Sequence, residues 1–214
     1  MLERQSNQGG ADWLRDRAGH ATASCFADIL ATGARGQPLK AREDYLMRLV
    51  VERITGEPVQ TPSSFAMQWG TDAEPYARAA YEEETGSIVR EVGFIKHPKH
   101  KWIGASLDGR VGQKGATEYK CPHNSAIHLM TWELGMPEHH KPQVMGQMWV
   151  AELEWVDFCS FDPRMQAGAK HLKLYIQRIY RDDAYVAMLE REVVGFSNEV
   201  DEKVERFMAM RDAA

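Results

Sequence analysis

Two carboxylates and an amine are concentrated in one stretch of the chain, GASLDGRVGQKGATEYKCP, which contains Asp108, Glu118 and Lys120. Glu118 and Lys120 are one residue apart, and side chains alternate along an extended strand, so a strand here points both to one face. Asp108 stands at the end of the preceding segment, where the turn dipeptide Asp108-Gly109 begins. If the two segments pair as a hairpin, Asp108 comes beside Glu118, and two carboxylates and an ammonium converge on one point. Such a group suits magnesium, which prefers oxygen ligands and takes one or two carboxylates while keeping water and substrate phosphate. A metal held in this way generates hydroxide from water and stabilises the attacking and leaving oxygens of phosphodiester cleavage. A lysine alongside orients the nucleophile or counters charge on the phosphorane. Taken alone, the pattern equally fits a surface ion pair between Glu118 and Lys120 with Asp108 a turn residue, since short motifs match by chance.

Positioning the trio requires a small sheet, and the chain supplies one. Residues 88–96, 101–107 and 117–120 read as strands, separated by turn residues at His97-Pro98 and Asp108-Gly109. Further strands are expected at 155–161 and 171–180. Helical patterns surround them. Residues 12–17 form a short stretch, and Thr22 or Ser24 caps a second, through about residue 31, with Phe26, Ile29 and Leu30 apolar. Residues 40–54 carry Tyr45, Leu46, Leu49, Val50 and Ile54 at helical spacing. Thr71 or Asp72 caps another helix, placing Pro75 and Glu74 in its first turn, and that helix runs to Thr85 and stops at Gly86. Helices follow at 125–134, 138–152 and from about residue 183 to the end of the chain. Helices flanking a central mixed β-sheet indicate an α/β (α+β) sandwich. With no internal repeat and no low-complexity linker, residues 1–214 read as one domain.

Composition narrows the function classes. The formal net charge is −5; this does not advertise a nucleic-acid binder, but phosphate contacts need only a local cluster of donors. Cys25, Cys121 and Cys159 contain no short C-x-x-C pair, which argues against a disulfide framework, a four-cysteine zinc site or an iron–sulfur cluster. No apolar run is long enough to cross a bilayer, and the start, MLERQSNQGG, lacks the apolar segment of a secretory signal. A cytoplasmic protein with reduced thiols is expected.

The blocks ADWLRDRAGHATAS, QWGTDAEPYAR, GASLDGR, TEYKCP, PQVMGQMWV and FDPRM occur in the same order as in a known family. In them the chain resembles the phage lambda exonuclease, or YqaJ-type viral recombinase, family of the restriction-endonuclease-like nucleases, over most of its length. The resemblance implies that Asp108 and Glu118 are metal ligands, with the Tyr119 carbonyl as a third, and that Lys120 is the catalytic lysine. It further implies that Glu74 joins the active centre from a helix and that Gln143 stands beside the reacting phosphate. Without the family, Glu74 is a first-turn glutamate favoured by the helix dipole. Arg17, Thr22, Ser24 and Ser106 match a pocket for a 5′-phosphate, in which Arg17 clamps the anion, and Met67 matches an apolar wedge between separating strands. Where the family carries an arginine after the K-C-P of the metal strand, this chain has Ala126, and His123 or His128 is the candidate to compensate.

The activity implied is magnesium-dependent 5′-to-3′ digestion of one strand at linear double-stranded DNA ends, with two Mg2+ ions that Mn2+ can replace. Mononucleotides are released and 3′ single-stranded tails remain for phage recombination. A ring-shaped homotrimer and a single-strand annealing protein are the implied partners, with no membrane. A related metal-dependent endonuclease or repair nuclease is the nearest rival, and a non-catalytic DNA-end-binding scaffold is a rival of another class. Other features have plain readings beside functional ones. Arg35 and Lys40 suit a solvated loop or contacts to a duplex backbone. Cys121, His123, His128, His139 and His140 match no standard zinc spacing. The stripe Val186, Leu189, Val193, Val200, Val204 and Phe207 fits packing on the chain's own core or an oligomer contact.

Overall fold

The computed structural model describes residues 9–60 and 62–210. The expectation of a polar, signal-free start falls on residues 1–8, outside the described residues. Two mixed sheets are flanked by helices, as expected of the fold class. In the three-stranded sheet, β4 (Ile103–Ala105) lies between β1 (Ala21–Thr22), which is parallel to it, and β3 (Ile95–Lys96), which is antiparallel. The five-stranded sheet runs β2 (Val89–Arg90), β5 (Gly109–Val111), β6 (Gly115–Lys120), β7 (Trp155–Phe161) and β8 (Leu174–Tyr180). Only β6 and β7 are parallel; the crossover between them carries α5 (Ser125–Leu134) and α6 (Lys141–Val150).

The large sheet separates two apolar clusters, because alternate residues of each strand face opposite sides. Ala116, Val156 and Phe158 face one side with Val144 and Met148 of α6, Leu49 of α3 (Lys40–Thr55) and Leu189 of α7 (Asp183–Ala209). Tyr119, Cys159 and Phe161 face the other, with Ala73, Ala77 and Tyr81 of α4 (Phe65–Thr85). Glu118 and Lys120, in step with Ala116, are therefore directed toward α6.

Several expectations are corrected by packing. The stretch 88–96 is two strands in different sheets, β2 and β3. Asp108-Gly109 is not a turn: Gly109 opens β5 opposite Thr117, and a Cβ there would stand 2.0 Å from Val89 Cγ1. The reversal falls instead at Gly112, whose φ of 59° suits glycine. Helix α4 starts before Thr71, where Ser64 accepts the Met67 N–H, so Pro75 and Glu74 lie in its interior and the helix-dipole reading of Glu74 lapses. Its end at Gly86, in the left-handed region, is as expected. Thr22 and Ser24 make no cap hydrogen bond; the chain forms a 3-10 turn at Ala23–Cys25 and a single helical turn, α2 (Phe26–Ile29). Ile54 is exposed whereas Tyr45, Leu46, Leu49 and Val50 are buried. In the α7 stripe, Val186, Leu189, Val193 and Val200 are core, Val204 is partly buried, and Phe207 is exposed.

Candidate active site

Pairing of β5 with β6 brings the central trio together. Gly109 lies opposite Thr117, so Asp108, one residue earlier, reaches the level of Glu118 and Tyr119, and its Oδ2 accepts the Tyr119 N–H at 2.7 Å. Glu118 is buried, and its Oε1 is 2.6 Å from the Lys120 Nζ. Burial on this scale removes the surface ion-pair reading, since solvent does not screen the pair as it would an exposed one. Gln143, on the facing side of α6, closes a ring: its Nε2 donates to Glu118 Oε1 at 2.7 Å, and its Oε1 accepts from Lys120 Nζ at 3.1 Å.

A residue not singled out by sequence completes the clamp. Gln147, one turn beyond Gln143 on α6, is wholly buried and donates from Nε2 to Glu118 Oε2 at 2.5 Å and to the Ser106 carbonyl at 3.1 Å. The signal was present in PQVMGQ, because two glutamines at i and i+4 share a helix face.

Three carboxyls, of Asp108, Glu118 and Glu74, influence one another and the Lys120 ammonium. Burial first, then the charges of Glu118 and Glu74, push the Asp108 carboxyl well above the usual range. Burial and Glu118 push Glu74 up in the same way. Burial works against the Lys120 ammonium, but Glu118 and Asp108 outweigh it and raise its pKa, so the amine keeps its proton. One ammonium among three carboxyls leaves an excess of negative charge, the condition a divalent ion relieves. Among the described residues no three His, Cys, Asp or Glu side chains form a metal-binding group on their own. The histidines near the site have other tasks. His128 is buried with both ring nitrogens engaged, by Ser160 Oγ at 2.8 Å and the Leu172 carbonyl at 2.6 Å. His140 is driven down to about 3 by burial and the Lys120 charge, so it stays neutral. Burial drives the Cys121 thiol up to about 12.

The four residues expected around a terminal phosphate also converge. Arg17, at the end of α1 (Ala11–Arg17), donates from Nη1 to Ser106 Oγ at 3.2 Å and from Nη2 to Thr22 Oγ1 and Ser24 Oγ, each at 3.4 Å. Its guanidinium lies 4.2 Å over the Trp13 ring, whose Nε1 donates to the same Ser106 Oγ at 3.1 Å. Arg17, Thr22, Glu52 and Met67 line a cavity of about 510 Å3. Met67 is exposed, as is Phe65, whose ring stands edge-on to His123. His128 is thus unable to compensate for Ala126, and His123 is engaged with Phe65 and Trp69. Lys40 pairs with Asp44 on the surface.

The YqaJ-like viral recombinase domain matches residues 12–154. The alkaline exonuclease LHK-Exo from Laribacter hongkongensis is 37% identical and superposes with a TM-score of 0.85 over 95% of this chain and 99% of that one. The structure of LHK-Exo in complex with dAMP gives 38% identity and a TM-score of 0.86 at the same coverage. A phage-related exonuclease from Haemophilus somnus 129PT, 12% identical, shares the fold with a TM-score of 0.67 over 91% of this chain and 99% of that one. No protein with a curated description matches. The likeness to LHK-Exo carries the restriction-endonuclease-like fold. By the family match and by this identity over nearly its whole length, the chain belongs to the YqaJ-like viral recombinase family.

Proposed function

We propose that the protein is a magnesium-dependent exodeoxyribonuclease that digests one strand of linear duplex DNA from its 5′ end. A nuclease role is supported by membership of the family and by relatives described as exonucleases. The observation that carries the polarity is Ser106, whose hydroxyl faces Arg17 while its carbonyl is tied through Gln147 to Glu118. From Ser106 to Asp108 is two residues, at most about 7 Å of extended chain. That is the scale of a single nucleotide, so a 5′-phosphate held by Arg17, Thr22, Ser24 and Ser106 sets the next phosphodiester near Asp108 and favours mononucleotide products.

Asp108 and Glu118, with the Tyr119 carbonyl, would hold the metal, and the bound ions supply activated water and charge stabilisation at the phosphate. The chain's own groups do the rest. Lys120, protonated and held by Glu118 and Gln143, presents positive charge where the phosphorane develops. Gln143 orients Lys120 and Glu118 and lies beside the reacting phosphate. Glu74 adds its carboxyl from α4. Met67, exposed and lining the Arg17 cavity, suits a wedge at the point where strands part. The proposed assembly is a ring of three copies, and the exposed Ile127, Met130 and Leu134 on one face of α5 suit a contact with another copy. The tail left behind would load a single-strand annealing protein in the cytoplasm of a phage-infected or lysogenic cell; among the described residues no helix is long and apolar enough to cross a membrane.

The test compares end-labelled linear duplexes bearing 5′-phosphate or 5′-hydroxyl ends, in magnesium or chelator. The expected result is metal-dependent release of mononucleotides, faster from the phosphorylated end, abolished by Asp108→Ala. Resistance of both substrates, or undiminished digestion by Asp108→Ala, would sink the proposal.

A further inference from the structure

A second guanidinium stands at the phosphate pocket. Arg48 lines the same cavity as Arg17, Thr22 and Met67. It projects from α3 between Tyr45 and Glu52, three residues after one and four before the other, so the three share a helix face. Both neighbours are fastened to the pocket wall. The Tyr45 hydroxyl accepts the Thr22 N–H at 2.9 Å, and Glu52 accepts the N–H groups of Gly19 at 2.8 Å and Val59 at 3.2 Å. Arg48 itself lies 4.6 Å over the Tyr45 ring, and its Nη2 is 3.4 Å from Sγ of Cys25, the residue after Ser24.

Arg48 makes no ion pair with a carboxylate among the described residues. Among the described residues its side-chain hydrogen bond is to a thiol, and those of Arg17 are to hydroxyls. A thiol is a weak acceptor, readily given up for phosphate oxygen. Glu52 is the carboxylate whose charge acts on both arginines, but each of its oxygens already accepts a backbone N–H. Asp28 also feels the Arg48 charge, yet makes no ion pair with it. Burial first, with a smaller push from the Arg48 charge, lowers the Arg17 pKa, whereas at Arg48 burial is outweighed by Cys25, Tyr45 and Glu52, which raise its own. A buried guanidinium beside a second one gains when an anion lies between them.

We propose that Arg48 is the second arginine of the terminal-phosphate pocket, binding a phosphate monoester jointly with Arg17. The charge count favours an end over an interior site. A terminal monoester carries close to two negative charges at neutral pH, whereas an internal diester carries one. Two guanidiniums match the former, and each can offer two parallel N–H groups to it. The proposal rests on the reading of this pocket as the 5′-phosphate site.

The experiment measures the ratio of kcat/KM on 5′-phosphate to that on 5′-hydroxyl duplexes for the wild type, Arg17→Ala, Arg48→Ala and Arg48→Lys. Binding of the same two duplexes in chelator is followed in parallel by fluorescence anisotropy. Loss of a charge-assisted contact should lower the ratio on the order of tenfold to a hundredfold for Arg48→Ala, with Arg48→Lys in between. If Arg48→Ala fails to fold, the lysine variant and its binding in chelator carry the test. A collapsed ratio for Arg17→Ala beside a wild-type ratio for both Arg48 variants would overturn the assignment and leave the pocket standing. A wild type that does not distinguish the two ends, or an Arg17→Ala that keeps the ratio, overturns the pocket and the assignment together.

Discussion

Replacing Gln147 by methionine tests whether the buried glutamine is a working part of the site. Its Nε2 serves two acceptors, Glu118 Oε2 at 2.5 Å and the Ser106 carbonyl at 3.1 Å, while its own Oε1 is buried without a partner. A side-chain amide is easily placed either way round, but turning this one over would set its oxygen against a carboxylate and a carbonyl. Methionine keeps most of the volume and offers no donor. Losing the bond to the carboxylate costs about 1.5–3 kcal/mol, and a buried carbonyl left unsatisfied about 1–3 kcal/mol. Removing the orphaned Oε1 offsets part of this, for a net loss of about 2–4 kcal/mol. In a chain of this length each kcal/mol moves the melting temperature by about 2–4 °C, so the variant should melt roughly 5–15 °C lower in chelator. Because Glu118 loses one of its supports, the magnesium concentration for half-maximal activity should rise about 10- to 100-fold. Thermal unfolding in chelator and a magnesium titration of nuclease activity read the two effects. A melting temperature within about 2 °C of wild type, with the same half-saturating magnesium, would refute the reasoning.

Asp108→Asn should stabilise the metal-free protein at neutral and alkaline pH, while abolishing cleavage. The Asp108 carboxyl is pushed up by burial, Glu118 and Glu74, so its contribution to stability is full below the ordinary carboxylate range and is lost as pH rises through the raised value. In chelator the asparagine variant should therefore outmelt the wild type at alkaline pH, with the gap closing toward acid; a wild type that melts higher at alkaline pH contradicts the crowding account. Gly146→Ala should destabilise by about 1–3 kcal/mol despite the better helix former, because its Cβ would stand 2.5 Å from Cδ2 of the buried Phe26; equal or higher stability in denaturant titration argues that α6 can shift. Met130→Glu, on the exposed face of α5, should shift light-scattering mass from trimer toward monomer, and a wild type monomeric at every concentration removes that assembly.

Legibility varied with the reach of the interactions involved. Strand β7 was legible because Trp155, Val156, Phe158, Cys159 and Phe161 make it mostly apolar, as suits a buried strand between two others, although Asp157 and Ser160 are buried in it as well. The pairing that joins Asp108 to Glu118 was legible in outcome but not in detail. Asp-Gly favours a turn locally, and only Val89, packed where a Cβ would be, explains the glycine in β5. Pro75 misled in the same way: the first-turn rule places it near a helix start, yet α4 carries it within the helix, capped at Ser64 and packed through Ala73, Ala77 and Tyr81. Arg48 was not legible at all. It shares α3 with Arg42 and Arg53, which pair with Glu199 and Asp201 of α7; which arginine has no carboxylate partner among the described residues depends on how the two helices pack.

The two halves of the site are joined by backbone and short bonds rather than by a hinge. Ser106 receives Trp13 and Arg17 on its hydroxyl and Gln147 on its carbonyl, and Gln147 passes directly to Glu118. On the Glu118 side, Lys120 and Gln143 fix the other carboxylate oxygen. The spacing between the terminal-phosphate pocket and the carboxylates is therefore set by packed, buried groups, and packed cores resist small changes of dimension. Under the proposed function, a fixed spacing of this kind would measure off one nucleotide from an end without reading its base. It also explains why the carboxylates alone, the part most easily found in sequence, do not define an exonuclease. A metal site able to cut any phosphodiester would, under the proposed function, be made to work from a 5′ terminus by the anion pocket at a set distance. The second guanidinium proposed for that pocket comes from α3, a helix that carries none of the proposed metal ligands.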